Sequence, residues 1–260
     1  NDVVMNNSPI DIDKLIEGTN EILTANRNSL QLFDMLHSMR QFDDLTYVHS
    51  VNVALIASIL GQWLKFSEKD IRILTISGLL HDIGKIMIPN EILTKPGKLT
   101  VAEYNIMKQH VNFGYEKVKN QNIDIRIKEA CLLHHEKCDG TGYPFGLKSD
   151  HIPAVAKIIA IADVYDAMTS ARVYRGALCP FEVIDTMYKD AFTKFEPEYI
   201  LPFLKNVASS YINNDVRLSD GRIGKVVLIN ENALSLPIVQ CEDEFIDLSK
   251  TRELTVSAIL

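Results

Sequence analysis

The tightest constraint in this sequence is a polar pair placed at the end of an apolar helix. Ile71 to Leu80 is strongly apolar and runs directly into His81-Asp82-Ile83-Gly84-Lys85. An imidazole and a carboxylate in the last turn of a buried helix are costly unless something pairs with them. A metal ion is a suitable partner. Neutral His and ionised Asp are both good ligands, and a carboxylate has two oxygens with which to bridge two ions. The fold must then bring further ligands to the same place.

The rest of the chain supplies them. A helix over about 44 to 65 carries His49 on a broad apolar face with Val48, Val51, Leu55 and Ile59. Ser67 and Asp70 form a capping signature that starts the helix delivering His81 and Asp82. Ile86 to Gly97, with Pro89 and Pro96, reads as a loop. Thr100 and Glu103 repeat the capping signature and start a helix to about Lys119 that carries His110. Asp124 caps the next helix, which ends in His134-His135-Glu136. A further apolar run, Val155 to Ile161, contains Asp163 in its continuation, with Asp166 three residues on. Five of the seven His thus fall among residues that otherwise read as core, and a helical bundle gathers such inward-pointing groups into one centre. Five His and two carboxylates exceed what one ion needs, so the count fits two ions sharing a carboxylate.

The expected fold is mainly α, a helical bundle, with a small C-terminal β appendage. Residues 1–40 form an N-terminal helical segment, 41–212 the catalytic domain and 215–260 the appendage. Two further helices are expected at about 180 to 192 and 197 to 212, with Pro202 sitting uneasily in the second. Turn signals at Ser219-Asp220-Gly221 and Asn230-Glu231-Asn232 separate β-prone runs at Ile223 to Ile229, Pro237 to Gln240 and Leu254 to Ile259.

Composition excludes several classes of function. With 260 residues, 47% of them hydrophobic, the chain can bury one large core plus an appendage. A net charge of -7 argues against binding a nucleic-acid polymer, which needs a basic face. No run approaches the roughly 18 apolar residues of a membrane span, and the start lacks the charged-then-apolar pattern of a signal peptide. The reading is cytoplasmic. Cys131, Cys138, Cys179 and Cys241 form no CxxC pair and read as reduced thiols. Because the chain does not open on Met, it is expected to be a piece of a longer protein with an upstream domain.

The order His, His-Asp, His, His-His, Asp, together with His134-His135-Glu136-Lys137-Cys138-Asp139-Gly140-Thr141-Gly142-Tyr143-Pro144, resembles the HD-GYP family of metal-dependent phosphohydrolases over about residues 40 to 205. The resemblance implies an HD-type helical domain that hydrolyses cyclic di-GMP to linear pGpG, and onward to GMP. It further implies that one ion is held by His49, His81, Asp82 and Asp163 and the other by Asp82, His110, His134 and His135. Asp82 then bridges the two together with a water or hydroxide. Iron or manganese is favoured by the resemblance alone.

Lys85 corresponds to a family lysine near the scissile phosphate, and Arg172 and Arg175 to the arginines after the last ligand helix, although Ala171 and Val173 replace the usual Asp and Pro beside them. Gly142, Tyr143 and Pro144 have two readings: they brace the turn, or they form the rim of the site and touch substrate or a cyclic di-GMP synthase. Two other functions stay open: a hydrolase of another cyclic dinucleotide or a nucleotide, and a catalytically silent cyclic-dinucleotide receptor. The appendage could cap the bundle, contact a second copy in a homodimer or contact a missing domain.

Family members with a third ion carry Glu four residues before the first His; here that position is Leu45, and Asp44 is out of helical phase. Metal analysis of the purified protein should therefore give two tightly held ions per chain, and three would contradict the two-metal reading.

Overall fold

The computed structural model describes residues 45–170, 178–251 and 253–260. The expected N-terminal helices of 1–40, and Arg172 and Arg175, lie outside the described residues.

Helix α1 (Leu45–Trp63) is the axis of the bundle. Val53, Ala54, Leu55, Ile56, Ala57 and Leu60 are fully buried. A helix apolar all round must lie inside its domain rather than on its surface. Helices α2 (Glu68–Leu80), α7 (Ala154–Thr169) and α9 (Pro197–Ser210) pack against it. Between α2 and α7 the chain forms a 3-10 turn (Ile83–Met87), the short α3 (Asn90–Leu93), α4 (Val101–Met107), α5 (His110–Val118) and α6 (Ile125–Leu133). Helix α8 (Pro180–Asp190) precedes α9 and touches the last strand.

The helix starts follow the signatures in the sequence. Asp70 N–H donates to Ser67 Oγ at 3.2 Å. Thr100 and Glu103 form a complete capping box, and Arg126 N–H donates to Asp124 Oδ1 at 3.0 Å. Each such cap satisfies backbone donors that a helix leaves without partners.

Two expectations about the middle of the chain need correcting. The stretch Ile86 to Gly97 is not simply a loop, because it holds the end of the 3-10 turn and the whole of α3. Nor does one helix run from Thr100 to Lys119: the chain breaks at Lys108-Gln109, and His110 opens a new helix. The reason is local, since His110 Nδ1 donates to the Met107 carbonyl at 2.8 Å and fixes the corner between the two helices. Pro202 lies inside α9, which continues through it. Ile200, Phe203, Leu204, Val207 and Ala208 are fully buried and hold that helix in place despite the missing N–H.

The chain changes from helix to strand between Ser210 and Asp215. Strands β1 (Asp215–Leu218), β2 (Ile223–Leu228), β3 (Ile238–Cys241), β4 (Glu244–Asp247) and β5 (Val256–Ile259) form an antiparallel sheet in the order β4-β3-β2-β1-β5. Val216, Leu218, Val226, Val239, Ile246 and Val256 point inward and join the main core. Strands β1 and β4 carry charged residues and only one or two inward apolar side chains each, so no β-prone run announces them.

One close approach positions the site. A Cβ built on Gly84 would lie 2.0 Å from the His110 carbonyl oxygen and 2.3 Å from Gly114 N. Only glycine lets the 3-10 turn lie against α5, which brings Asp82 and Lys85 beside His110. Gly84→Ala should lower the unfolding free energy by about 1 to 3 kcal/mol, the usual cost of overpacking, measurable by urea denaturation; an unchanged midpoint would refute the contact.

Candidate metal centre

Each candidate ligand sits where the fold turns a side chain inward. His49 projects from α1 and Asp163 from α7. His81 closes α2, and Asp82 leads into the 3-10 turn. His110 opens α5, while His134 closes α6 with His135 next to it. Their ligand atoms gather into two groups, each with all members within 4.8 Å of one another: Asp82, His110, His134 and His135 in one, and His49, His81 and Asp163 in the other.

Asp82 stands between the groups with one oxygen toward each. Its Oδ2 is 3.2 Å from His81 Nε2 and 3.5 Å from His49 Nε2. Its Oδ1 is 3.3 Å from His110 Nε2 and 3.9 Å from His134 Nε2. Lys85 Nζ donates to Oδ2. On the far side His49 Nε2 lies 3.1 Å from Asp163 Oδ1, and His135 Nδ1 lies 3.8 Å from Asp163 Oδ2.

The ring orientations are fixed from behind. His81 Nδ1 donates to the Gly78 carbonyl at 2.7 Å, His110 Nδ1 to the Met107 carbonyl at 2.8 Å and His134 Nδ1 to the Ala130 carbonyl at 2.9 Å. A carbonyl can only accept, so in each ring Nδ1 carries a proton and Nε2 faces the centre. His49 is held differently: its Nδ1 donates to Asp166 Oδ2 at 2.7 Å, and Asn52 Nδ2 donates to Asp166 Oδ1 at 2.9 Å. This role of Asp166 was only half visible in the sequence. The signal was a matched pair of i,i+3 spacings, His49 with Asn52 and Asp163 with Asp166, on two facing helices.

Most of the centre is buried, and its ionisation reflects that. Burial lowers His134 well below the usual imidazole range, and the fields of His135 and His81 push the same way. Burial likewise takes His135 down to about 4 and lowers His110. These three rings are therefore neutral at pH 7 and available as ligands. Burial opposes the charge on Asp82, but the neighbouring His81 and Lys85 outweigh it and hold the carboxyl well below its usual value. For Asp163 burial is again opposed, chiefly by the neighbouring His49, and the acid stays ionised. Burial pulls His49 down, yet the surrounding carboxylates of Asp163, Asp166 and Asp82 prevail and raise it well above the usual range.

The residues fit a divalent metal ion on a structural criterion. Among the described residues five buried side-chain polar atoms lack a hydrogen-bond partner, and three of them are His49 Nε2, His81 Nε2 and Asp82 Oδ1. Unsatisfied buried polar atoms are rare, and here all three point into the same centre. Neutral imidazole and carboxylate are the donor set that divalent transition metals accept.

The loop after His135 is latched by a residue to which the sequence assigned no role. Glu136 is 4% exposed, and its carboxylate accepts from the backbone N–H groups of Phe145, Gly146 and Leu147 at 2.7, 3.1 and 2.8 Å. Gly142 crosses this latch so closely that a Cβ there would meet Lys137 N at 2.4 Å. Tyr143 N–H donates to the His135 carbonyl, and the two rings lie 4.7 Å apart. Tyr143 is thereby packed on a candidate ligand. His151 lies on the exposed 3-10 turn Ser149–His151, clear of the cluster.

The sequence profile of the HD domain family matches residues 16–199, most of the chain. The chain belongs to the HD domain family. Within it the chain is HD-GYP-like and related to cyclic-dinucleotide phosphodiesterases. It is 36% identical over 203 residues to the cyclic di-GMP phosphodiesterase PA4108 of Pseudomonas aeruginosa, covering 78% of this chain and 49% of that protein. It is also 36% identical over 173 residues to the 3'3'-cGAMP-specific phosphodiesterase 1 of Vibrio cholerae, covering 65% of this chain and 38% of that one. The chain thus spans half or less of the length of these two relatives. Among solved structures, Bd1817, an HDG"Y"P protein from Bdellovibrio bacteriovorus, shares the fold with a TM-score of 0.59 at 20% identity, over 74% of this chain and 60% of that one. No described helix is long and apolar enough to cross a membrane.

Glu136→Ala leaves three backbone donors without their acceptor and should cost about 2 to 4 kcal/mol of stability at the latch, given roughly 1 to 3 kcal/mol per unsatisfied group with partial rehydration. Hydrogen exchange should show the loss concentrated at Phe145 to Leu147; uniform protection there would contradict the latch.

Proposed function

We propose that this chain is a cytoplasmic cyclic di-GMP phosphodiesterase, opening the ring to linear pGpG and continuing to GMP, with two iron or manganese ions as cofactors. The observation that carries this reading is the placement of Asp82, with one carboxylate oxygen toward each histidine group. His49, His81, Asp82 and Asp163 would hold one ion, and Asp82, His110, His134 and His135 the other. When bound, such a pair lowers the pKa of water and offsets charge on phosphoryl oxygens.

The chain's own residues supply the rest. The Nδ1 hydrogen bonds hold His81, His110 and His134 in one orientation, so the ligand set is organised before substrate arrives. Burial of Asp82, Asp163 and His134 keeps bulk water away, which strengthens every charge interaction at the reacting phosphate. Half-buried Lys85 donates to Asp82 and places a positive charge where negative charge would accumulate. Arg172 and Arg175 would add substrate contacts, and Gly142, Tyr143 and Pro144 would line the rim. The same loop is the surface we assign to a cyclic di-GMP synthase.

A second reading, a phosphodiesterase for 3'3'-cGAMP, is supported by the likeness to the Vibrio cholerae enzyme of that specificity. A silent receptor is disfavoured because all seven candidate ligands are present.

The test is product chromatography. Protein prepared without oxygen and loaded with iron or manganese is incubated with cyclic di-GMP or 3'3'-cGAMP, beside Asp82→Ala. Metal-dependent pGpG from cyclic di-GMP, reduced at least about 100-fold in the variant, is expected for loss of a group that organises the centre. Unchanged turnover by Asp82→Ala would refute the bridging role, and preference for cGAMP would favour the second reading.

A further inference from the structure

The break between α4 and α5 gives Lys108 an unusual setting. Its ammonium lies 5.2 Å from the centre of the Tyr104 ring and 5.9 Å from that of Tyr143. Tyr143 is packed on His135 and also lies 6.5 Å from the His110 ring. A cation, an outer ring and an inner ring therefore lead from the surface to the candidate metal centre. Tyr104, at the outer end, is 48% exposed.

What distinguishes Lys108 is the nature of its partners. Lys85, Lys95, Lys157, Lys189, Lys194, Lys205 and others each approach a carboxylate within 4.0 Å. Among the described residues, none of the ion pairs involves Lys108. Aromatic faces attract an ammonium through their quadrupoles but carry no net charge, so they position the cation without neutralising it. In a chain with 34 acidic residues against 27 basic ones, a lysine held beside the site on aromatic rings retains its charge for an incoming anion.

The setting is also rigid. The corner at Met107 is fixed by the hydrogen bond from His110 Nδ1, and α4 is pinned at its start by the capping box and by Lys95, which donates to both oxygens of Glu103 at 2.7 Å. On the other side the Glu136 latch and the Tyr143 N–H bond hold the inner ring. Little ordering is left for a ligand to impose, which favours binding.

We infer that Lys108, between Tyr104 and Tyr143, is an anion subsite for the phosphate of a cyclic dinucleotide that is not being cleaved, with the exposed Tyr104 ring offering a face to one base. This rests on the proposed phosphodiesterase reading and deepens it. A cyclic dinucleotide carries two phosphates, and the centre at Asp82 engages one of them. The other needs a cation outside the metal ligands. Lysine binds phosphate as a point charge, and base stacking on an exposed tyrosine adds to it.

The test compares two substrates in the metal-loaded protein: cyclic di-GMP, and bis(4-nitrophenyl) phosphate, a diester with a single phosphate. The quantity read is the ratio of their kcat/KM values. In Lys108→Met that ratio should fall about ten-fold, mainly through KM for cyclic di-GMP, as for loss of one charge-assisted contact. Lys108→Arg should restore most of it, and Tyr104→Ala should lower it more than Tyr104→Phe. An unchanged ratio in Lys108→Met, or equal losses on both substrates, would overturn the subsite. A wild-type protein that cleaves the aryl diester but no cyclic dinucleotide would overturn the parent reading instead.

Discussion

The structure depends on one buried carboxylate. Asp82 is 4% exposed, yet it is ionised and surrounded by His49, His81, His110, His134 and Lys85. A charge in that position is tolerated only with compensating groups on every side. Much of the local architecture follows from supplying them: α1 must pass close enough to present His49, the 3-10 turn must rest on α5, and α6 must end where its last residue faces inward. Gly84 makes the second of these possible. The bundle is a means of bringing separated parts of the chain to one point.

The candidate ligands were legible in the sequence because each is an anomaly in an otherwise apolar pattern. His81 and Asp82 end an apolar run, Asp163 continues another, and His134-His135 closes a third. Such residues are expensive in isolation, so the pattern itself carries the expectation of a shared centre. The helical bundle and the β character of the C-terminal segment were legible for similar reasons, through periodicity and turn chemistry.

What was hidden is of a different kind. The break at Lys108-Gln109 has no Pro or Gly to mark it, because its cause is a side chain reaching back to the carbonyl of Met107. Strands β1 and β4 are too charged to stand out from turns. Glu136 and Asp166 look like ordinary acidic residues. Their roles exist only through groups far away in sequence: the N–H groups at Phe145 to Leu147 for one, His49 and Asn52 for the other. Polar partnerships across long separations leave no periodic trace.

The supports behind the histidines are unequal in a way that bears on how such a centre can change. His81, His110 and His134 rest on main-chain carbonyls, which every amino acid supplies and no substitution deletes. His49 rests on the side chain of Asp166. Three of these four rings are therefore insulated from mutation behind them, while the basicity and tilt of the fourth are open to a single codon change. Adaptation to a different metal would have its readiest handle on the His49 side, with the opposite half of the centre remaining as the fixed reference.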